Sequence, residues 1–258
     1  MRVLPPARAI IAAAPLARKE RRGDDRAARG FAILDFRFPQ GGGPAGVAYV
    51  RLANDADVRE LQDALAAIRE EPAVRVVLLD ATGFRGRRAV QAGELLEHYL
   101  LPIVFVFCGR LARGLFPAAV AADVRVADAG AVVAAPGAMD AWTRKRTALV
   151  LGEGVALRLL LSGGAFEAGA ALNSGFVSAV APAGEALAEG TRIAAVIASR
   201  GPIATQLAKE AIWRGLEMPL AQALRFETDL TLLLQTTKDR AEGVRAFLEK
   251  RPPQFTGE

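Results

Sequence analysis

Two apolar rhythms divide the chain. Continuous, largely β-branched runs at residues 74–79 and 103–107 predict strands buried on both faces, the pattern of a parallel sheet. Shorter runs at residues 31–38, 46–52, 124–127 and 132–134 predict further strands, the first two separated by the turn formers Gly41, Gly42, Gly43 and Pro44. Between these runs the spacing stretches to helical periodicity. Residues 57–70 bring Val58, Leu61, Leu65 and Ile68 onto one face, a second helix closes near His98, and small residues at 116–122 predict a third. Strands alternating with helices through short connections mark an α/β fold. Beyond Arg144 the pattern is mainly helical, with helices expected at residues 154–162, 166–174, 185–199, 202–214, 220–234 and from 238 to just before Pro252.

Composition narrows the class. Of 258 residues, 52% are hydrophobic and 24% charged, a globular balance with enough chain for one substantial core. No apolar run approaches the roughly 18 residues that a spanning helix requires, so no membrane partner is expected and the chain reads as cytoplasmic. The net charge of +5 is confined to residues 1–30, where eight basic side chains face three acidic ones, so the remainder is neutral. That location describes a solvated arm, residues 1–29, rather than a nucleic-acid surface. A targeting segment is the lesser reading there, because acidic residues interrupt the arm and serine is absent. One cysteine, Cys108, excludes an internal disulfide, and one histidine, His98, excludes a site needing two imidazoles, so no metal centre is expected. His98 falls in a helical pattern and Cys108 beside an apolar run, which favours packing roles over catalytic ones.

Short motifs follow in a fixed order. Leu161-Ser162-Gly163, Glu167-Ala168 and Ser174-Gly175-Phe176-Val177 come first, then Gly201-Pro202, Ala208-Lys209 and Ala211. Ala223-Leu224, Glu227, Asp239, Glu242-Gly243 and residues 246–251 complete the series. Upstream lie Glu71-Pro72 with the apolar run to Leu79, and Pro102-Ile103-Val104. Each is weak alone; together, over residues 45–255, they resemble the crotonase (enoyl-CoA hydratase/isomerase) family. The resemblance implies a crotonase-like spiral of strand–helix turns over residues 30–199, then a helical C-terminal oligomerisation region at residues 200–258 that packs a homotrimer or hexamer. It implies an acyl-CoA thioester as partner, with coenzyme A entering as part of the substrate and no separate cofactor. The family's shared chemistry is stabilisation of a thioester enolate by two backbone N–H groups, one at a helix start; such a preorganised donor is worth about 3 kcal/mol.

Carried over residue by residue, the resemblance puts one donor on Gly114, for which a simple strand-to-helix turn glycine is the alternative. The other donor falls in a shortened loop, Phe84-Arg85-Gly86-Arg87-Arg88, with the Arg87 amide as candidate. Arg85 and Gly86 are the matching coenzyme-A contacts, guanidinium groups being bidentate partners for phosphate, or else this is a solvated loop. Phe247 and Lys250 are expected near the adenine end of a CoA bound to a neighbouring subunit. The sequence departs from the hydratases at their two water-handling glutamates, whose places hold Pro117 and Gly137. Asp140 partly offsets that loss. It lies twelve residues before Gly152, as the catalytic Asp does in dienoyl-CoA isomerases and 4-chlorobenzoyl-CoA dehalogenases. Against an apolar wall such as Trp142 it would act as a base; equally, it fits a helix N-cap. The implied function is an isomerase or a lyase/hydrolase variant of the family. The alternative is a non-catalytic crotonase-like subunit that binds CoA esters or scaffolds a partner.

Overall fold

The computed structural model describes residues 36–37, 45–52, 54, 58–86 and 92–258, all within one compact unit, Ala32–Glu258. The arm at residues 1–29 and the turn at Gly41 to Pro44 lie outside the described residues. In chain order the strands are β1 (Phe36–Arg37), β2 (Val47–Arg51), β3 (Val76–Asp80), β4 (Ile103–Phe107), β5 (Val124–Asp128), β6 (Val132–Ala134), β7 (Ala165–Glu167) and β8 (Ala179–Ala181). The helices are α1 (Val58–Arg69), α2 (Gly93–Glu97), α3 (Phe116–Ala121), α4 (Ala141–Leu151), α5 (Glu153–Ser162), α6 (Ala168–Asn173), α7 (Ala186–Ala198), α8 (Pro202–Gly215), α9 (Leu220–Gln235) and α10 (Lys238–Glu249).

One sheet has the order β1-β2-β3-β4-β5-β8, parallel throughout except for the antiparallel edge strand β1. Every residue of β3 and β4 is buried, as their continuous apolar runs predict. Alternate residues then serve two layers. Val77, Leu79, Ile103 and Phe105 join the larger core with Leu61 and Leu65 of α1 and Phe116 of α3. Val76, Leu78, Val104 and Val106 point the other way, onto Ala186, Ala194 and Ala198 of α7. A Cβ on Gly190 would overlap the Val106 side chain, so α7 lies closer to the sheet than any larger residue permits. Each large apolar side chain buried in this way contributes about 1.5–3 kcal/mol.

Two sequence expectations need correction. The helix expected at residues 166–174 is divided: Ala165–Glu167 form β7, paired antiparallel with β6, and only Ala168–Asn173 are helical. Phe166, opposite Val133 in that pair, is buried, and its place in the core overrides the local helical pattern. Likewise β8 completes the main sheet within a stretch expected to be mainly helical. Its Ala-Val-Ala sequence is too short and too small-sided to display a strand period.

The C-terminal helices are fastened at the amino ends of β4 and β5. Asp123 accepts from the Ile103 N–H (2.7 Å), Lys209 Nζ (2.8 Å) and Trp213 Nε1 (2.9 Å), linking α8 to the sheet. Burial lowers the Lys209 pKa while Asp123 opposes the shift, as expected of an ion pair largely withdrawn from water. Past α10 the chain runs back as a strap. Thr256 and Gly257 donate their N–H groups to Asp239 (2.7 and 3.0 Å), Gln254 donates to Glu242 (2.9 Å), and Arg75 reaches the carbonyls of Phe255 and Ala198. Helices α8 to α10 also leave Ile212, Leu220, Leu224, Leu232 and Phe247 exposed. No helix among the described residues is long and apolar enough to cross a membrane.

Candidate functional site at the carboxyl ends of the strands

Open parallel sheets present their ligand crevices at the carboxyl ends of the strands. Here β3 and β5 each end in a buried aspartate, Asp80 and Asp128, and Cys108 follows β4 between them. Asp80 accepts from the Thr82 N–H (2.9 Å) and Thr82 Oγ1 (2.6 Å), a tight side-chain turn that redirects the chain as β3 ends. Its other oxygen lies 3.4 Å from Nε of Arg51, its register partner across β2 and β3. The following loop is pressed onto Asn54. The Arg85 N–H donates to Asn54 Oδ1, and a Cβ on Gly86 would overlap the Asn54 carbonyl oxygen. The exposed Arg85 turns its guanidinium back to the carbonyls of Thr82 (3.2 Å) and Phe84 (2.9 Å). Arg87 lies outside the described residues.

The second loop leaves β4 through Cys108 and Gly109. Gly109 has φ of +62°, a left-handed conformation that suits glycine, and its N–H donates to Asp128 Oδ1 (2.9 Å). Two backbone bonds then lace the loop to β6: Val132 N–H to Gly109 carbonyl (3.1 Å) and Leu111 N–H to Val132 carbonyl (2.9 Å). A single 3-10 turn, Arg113–Leu115, leads into α3. Its internal donors are Leu115, to Ala112, and Phe116, to Arg113. The buried Gly114 N–H precedes both, among the groups that a helical start leaves without an internal acceptor.

All six residues of α3 are buried, and no side chain caps its start. Pro117 in its first turn removes an N–H that would have lacked a helical acceptor anyway. At the opposite end Arg125, itself buried, donates to the carbonyls of Ala122 (2.6 Å), Ala119 (3.4 Å) and Phe176. A cation there complements the negative end of the helix dipole. Burial pulls the Arg125 pKa down to about 10, with Arg146 adding to the shift and Asp123 opposing it.

Cys108 registers how close the two loops come. Its thiol is pushed up to about 11, chiefly by burial, then by the charge and hydrogen bond of Asp128 and the charge of Asp80, against a lowering by Arg85. The structure therefore gathers Arg85, Asp80, Cys108 and Asp128 at one edge, with Gly86 and Gly114 on the same two loops. Asp140 is placed differently. It is exposed at the start of α4, where Oδ1 accepts from the Thr143 N–H (2.6 Å), so the capping alternative is the one this geometry realises. Trp142 turns toward α2: its Nε1 donates to Glu97, and its ring lies so near Gly93 that a Cβ there would overlap it. Gly137 is exposed. Phe247, 82% exposed, and Lys250 lie at the end of α10. Lys250 holds the only positive φ among the described non-glycine residues, and Arg251 beside it grips Glu242 with two bonds of 2.6 and 3.0 Å. That grip, with the Gln254 N–H, brings the Glu242 carboxyl down to about 2. Among the described residues, no group of three or more His, Cys, Asp or Glu is arranged to hold a metal ion.

A family model described as enoyl-CoA hydratase/isomerase matches residues 94–258. This chain belongs to that family. Relatives include a probable mitochondrial enoyl-CoA hydratase 2 from Arabidopsis thaliana, 28% identical over 231 residues, or 79% of this chain and 77% of that protein. A crotonyl-CoA hydratase from Syntrophomonas wolfei is 28% identical over 229 residues, covering 78% of this chain and 88% of its own. Among solved structures, the enoyl-CoA hydratase of Bacillus anthracis superposes with a TM-score of 0.75 at 28% identity, covering 87% of this chain and 99% of that one. Within this family framework, the sequence reading missed Asp80, Asp128 and Arg125. One signal was present: two apolar runs, Val76–Asp80 and Val124–Asp128, each close on an aspartate at the end where a parallel sheet opens.

Proposed function

We propose that this chain binds an acyl-CoA thioester and stabilises the enolate formed when a proton leaves the acyl chain. The observation that carries the reading is the Gly114 N–H, standing ahead of the first internal hydrogen bond of a buried helix at the carboxyl edge of the sheet. A donor fixed before reaction needs no reorganisation as charge develops on the thioester oxygen. The second donor is assigned to the Arg87 amide, with Gly86 beside it and Arg85 at the CoA phosphates. Relatives named as enoyl-CoA and crotonyl-CoA hydratases support the substrate class.

Within that class the reading favours an isomerisation, or a lyase/hydrolase variant, over two-glutamate hydration. Pro117 and Gly137, at the positions the resemblance gives to the glutamates, have no group to move a proton. Asp140 is the carboxylate assigned as base; because Thr143 engages Oδ1, proton transfer falls to Oδ2. The exposed apolar side chains of α8 to α10 support a homotrimer or hexamer. In that assembly Phe247 and Lys250 offer an aromatic face and a cation to the adenine end of a neighbour's CoA.

Deuterium uptake into the acyl chain of crotonyl-CoA, read by mass spectrometry, tests the reading. Gly114→Pro removes the N–H, and a circular-dichroism spectrum and melting temperature close to those of the unmodified protein control for the strain proline places on Arg113 before it. Exchange about a hundredfold slower than in the unmodified protein, at unchanged crotonyl-CoA affinity, is expected. Absence of exchange in the unmodified protein across several acyl chain lengths would transfer the assignment to a non-catalytic CoA-ester-binding subunit.

A further inference from the structure

We infer that Asp128 is a positioning residue for the Gly114 amide, its carboxylate holding the loop that carries this amide against two neighbouring connections. The inference rests on the enolate-stabilising reading above and adds the residue that fixes the loop's geometry.

Asp128 closes β5 and is 7% exposed. Its Oδ1 accepts the Gly109 N–H at 2.9 Å, and its Oδ2 faces the Gly184 N–H at 3.5 Å. The Asp128 carbonyl also accepts from Ala131 at 3.0 Å. One residue thus ties together the β4–α3 loop, the β5–β6 turn and the β8–α7 connection. Both glycines it holds are left-handed, with φ of +62° and +79°, so each N–H belongs to a turn whose direction depends on that residue's torsions.

The loop is also fastened by its two backbone bonds to Val132 and by the buried side chains of Leu111 and Leu115, none of which involves the Asp128 side chain. Without the carboxylate the loop stays laced to β6, but Gly109 loses the acceptor that sets its orientation. Gly114 lies five residues further on, so a rotation at Gly109 is carried to the amide. Misplacing a reacting group by about 1 Å costs on the order of a hundredfold in rate, so this pivot controls function while contributing little to attachment. A charged acceptor also holds an N–H roughly twice as strongly as a neutral one. With its oxygens turned to these N–H groups, Asp128 acts through the loop rather than on the substrate.

The test uses the full chain and cinnamoyl-CoA, a conjugated thioester whose absorption moves to longer wavelength when its carbonyl oxygen accepts strong hydrogen bonds. The unmodified protein is expected to produce that shift on binding. Asp128→Leu and Asp128→Ser should lose most of it while retaining cinnamoyl-CoA affinity within about threefold, with deuterium exchange slowed about tenfold or more. Asp128→Asn, whose amide oxygen still accepts from Gly109, should restore most of the shift. Serine guards against failure of the leucine variant to fold. A full shift in both Leu and Ser variants overturns the inference, as does an Asn variant no better than Leu. If the unmodified protein gives no shift, the Gly114 reading itself fails and Asp128 falls with it.

Discussion

Helices α3 and α4 pack on one another, yet they treat their first amides in opposite ways. The start of α4 is at the surface, and Asp140 takes the Thr143 N–H there. The start of α3 is in the interior, where a capping side chain would be worth most, and it has none. At their carboxyl ends the pattern inverts. Arg125 is buried against the last carbonyls of α3, whereas α4 simply stops at Gly152, with φ of +73°. A buried amide without a protein acceptor costs about 1–3 kcal/mol. At the near end the 3-10 turn serves Leu115 and Phe116, and under the proposal above the Gly114 amide ahead of them is the one that receives an acceptor from outside the chain. A surface helix with a cap has no such vacancy to offer.

Three measurements break or sharpen this contrast. The largest expected effect is that of Arg125→Met, which strips three carbonyl oxygens of their donor and should lower stability by about 3 kcal/mol or more in urea denaturation. A loss below about 1 kcal/mol would mean that α3 does not depend on its buried cap. Next is the thiol at the mouth of the α3 loop. Raised to about 11, Cys108 should present on the order of a hundredfold less thiolate at pH 8 than an ordinary cysteine, and its iodoacetamide rate should still be climbing above pH 9. The folded state prefers the protonated thiol, so this group's contribution to stability falls as pH rises past the ordinary thiol range. Asp128→Asn should bring the reactivity profile to lower pH; a plateau near pH 9 in the unmodified protein would contradict the crowding described at this edge. The smallest effect is expected at α4. Asp140→Ala should cost about 1 kcal/mol as a lost cap, and Asp140→Asn almost nothing. Exchange is the separate readout of its proposed role as base: the Asn variant, with its cap and crotonyl-CoA affinity intact, should lose deuterium exchange, and exchange that persists would leave Asp140 a cap alone.

Legibility in the sequence followed the range of the interactions. Strand β4 and helix α1 stand where their apolar periods put them, because burial of successive residues acts through the element itself. Strands β7 and β8 escaped because strands of only three residues acquire their geometry from their partners β6 and β5. At the site, Gly114 was legible as the glycine that opens a helix, and Asp140 as a carboxylate with two roles. Arg125 was not. A single arginine within an apolar run reads as the outward face of a strand, and nothing near it in sequence announces the helix end that draws it in. Asp128 was hidden for the same reason, since Gly109 and Gly184 lie 19 and 56 residues away.

The strap past α10 has a consequence for how the chain comes to rest. Its receptors are Arg75 just before β3, whose guanidinium also donates to the carbonyl of Ala198, and two carboxylates of α10. The Arg75–Phe255 bond spans 180 residues. Contacts of such separation reward the chain only after the intervening segments are in place, so docking of the strap belongs among the last events of folding. The amides of Thr256 and Gly257 donate to Asp239 only 17 and 18 residues away, so they can gain hydrogen-exchange protection with α10 alone, ahead of the Arg75–Phe255 bond that closes the strap.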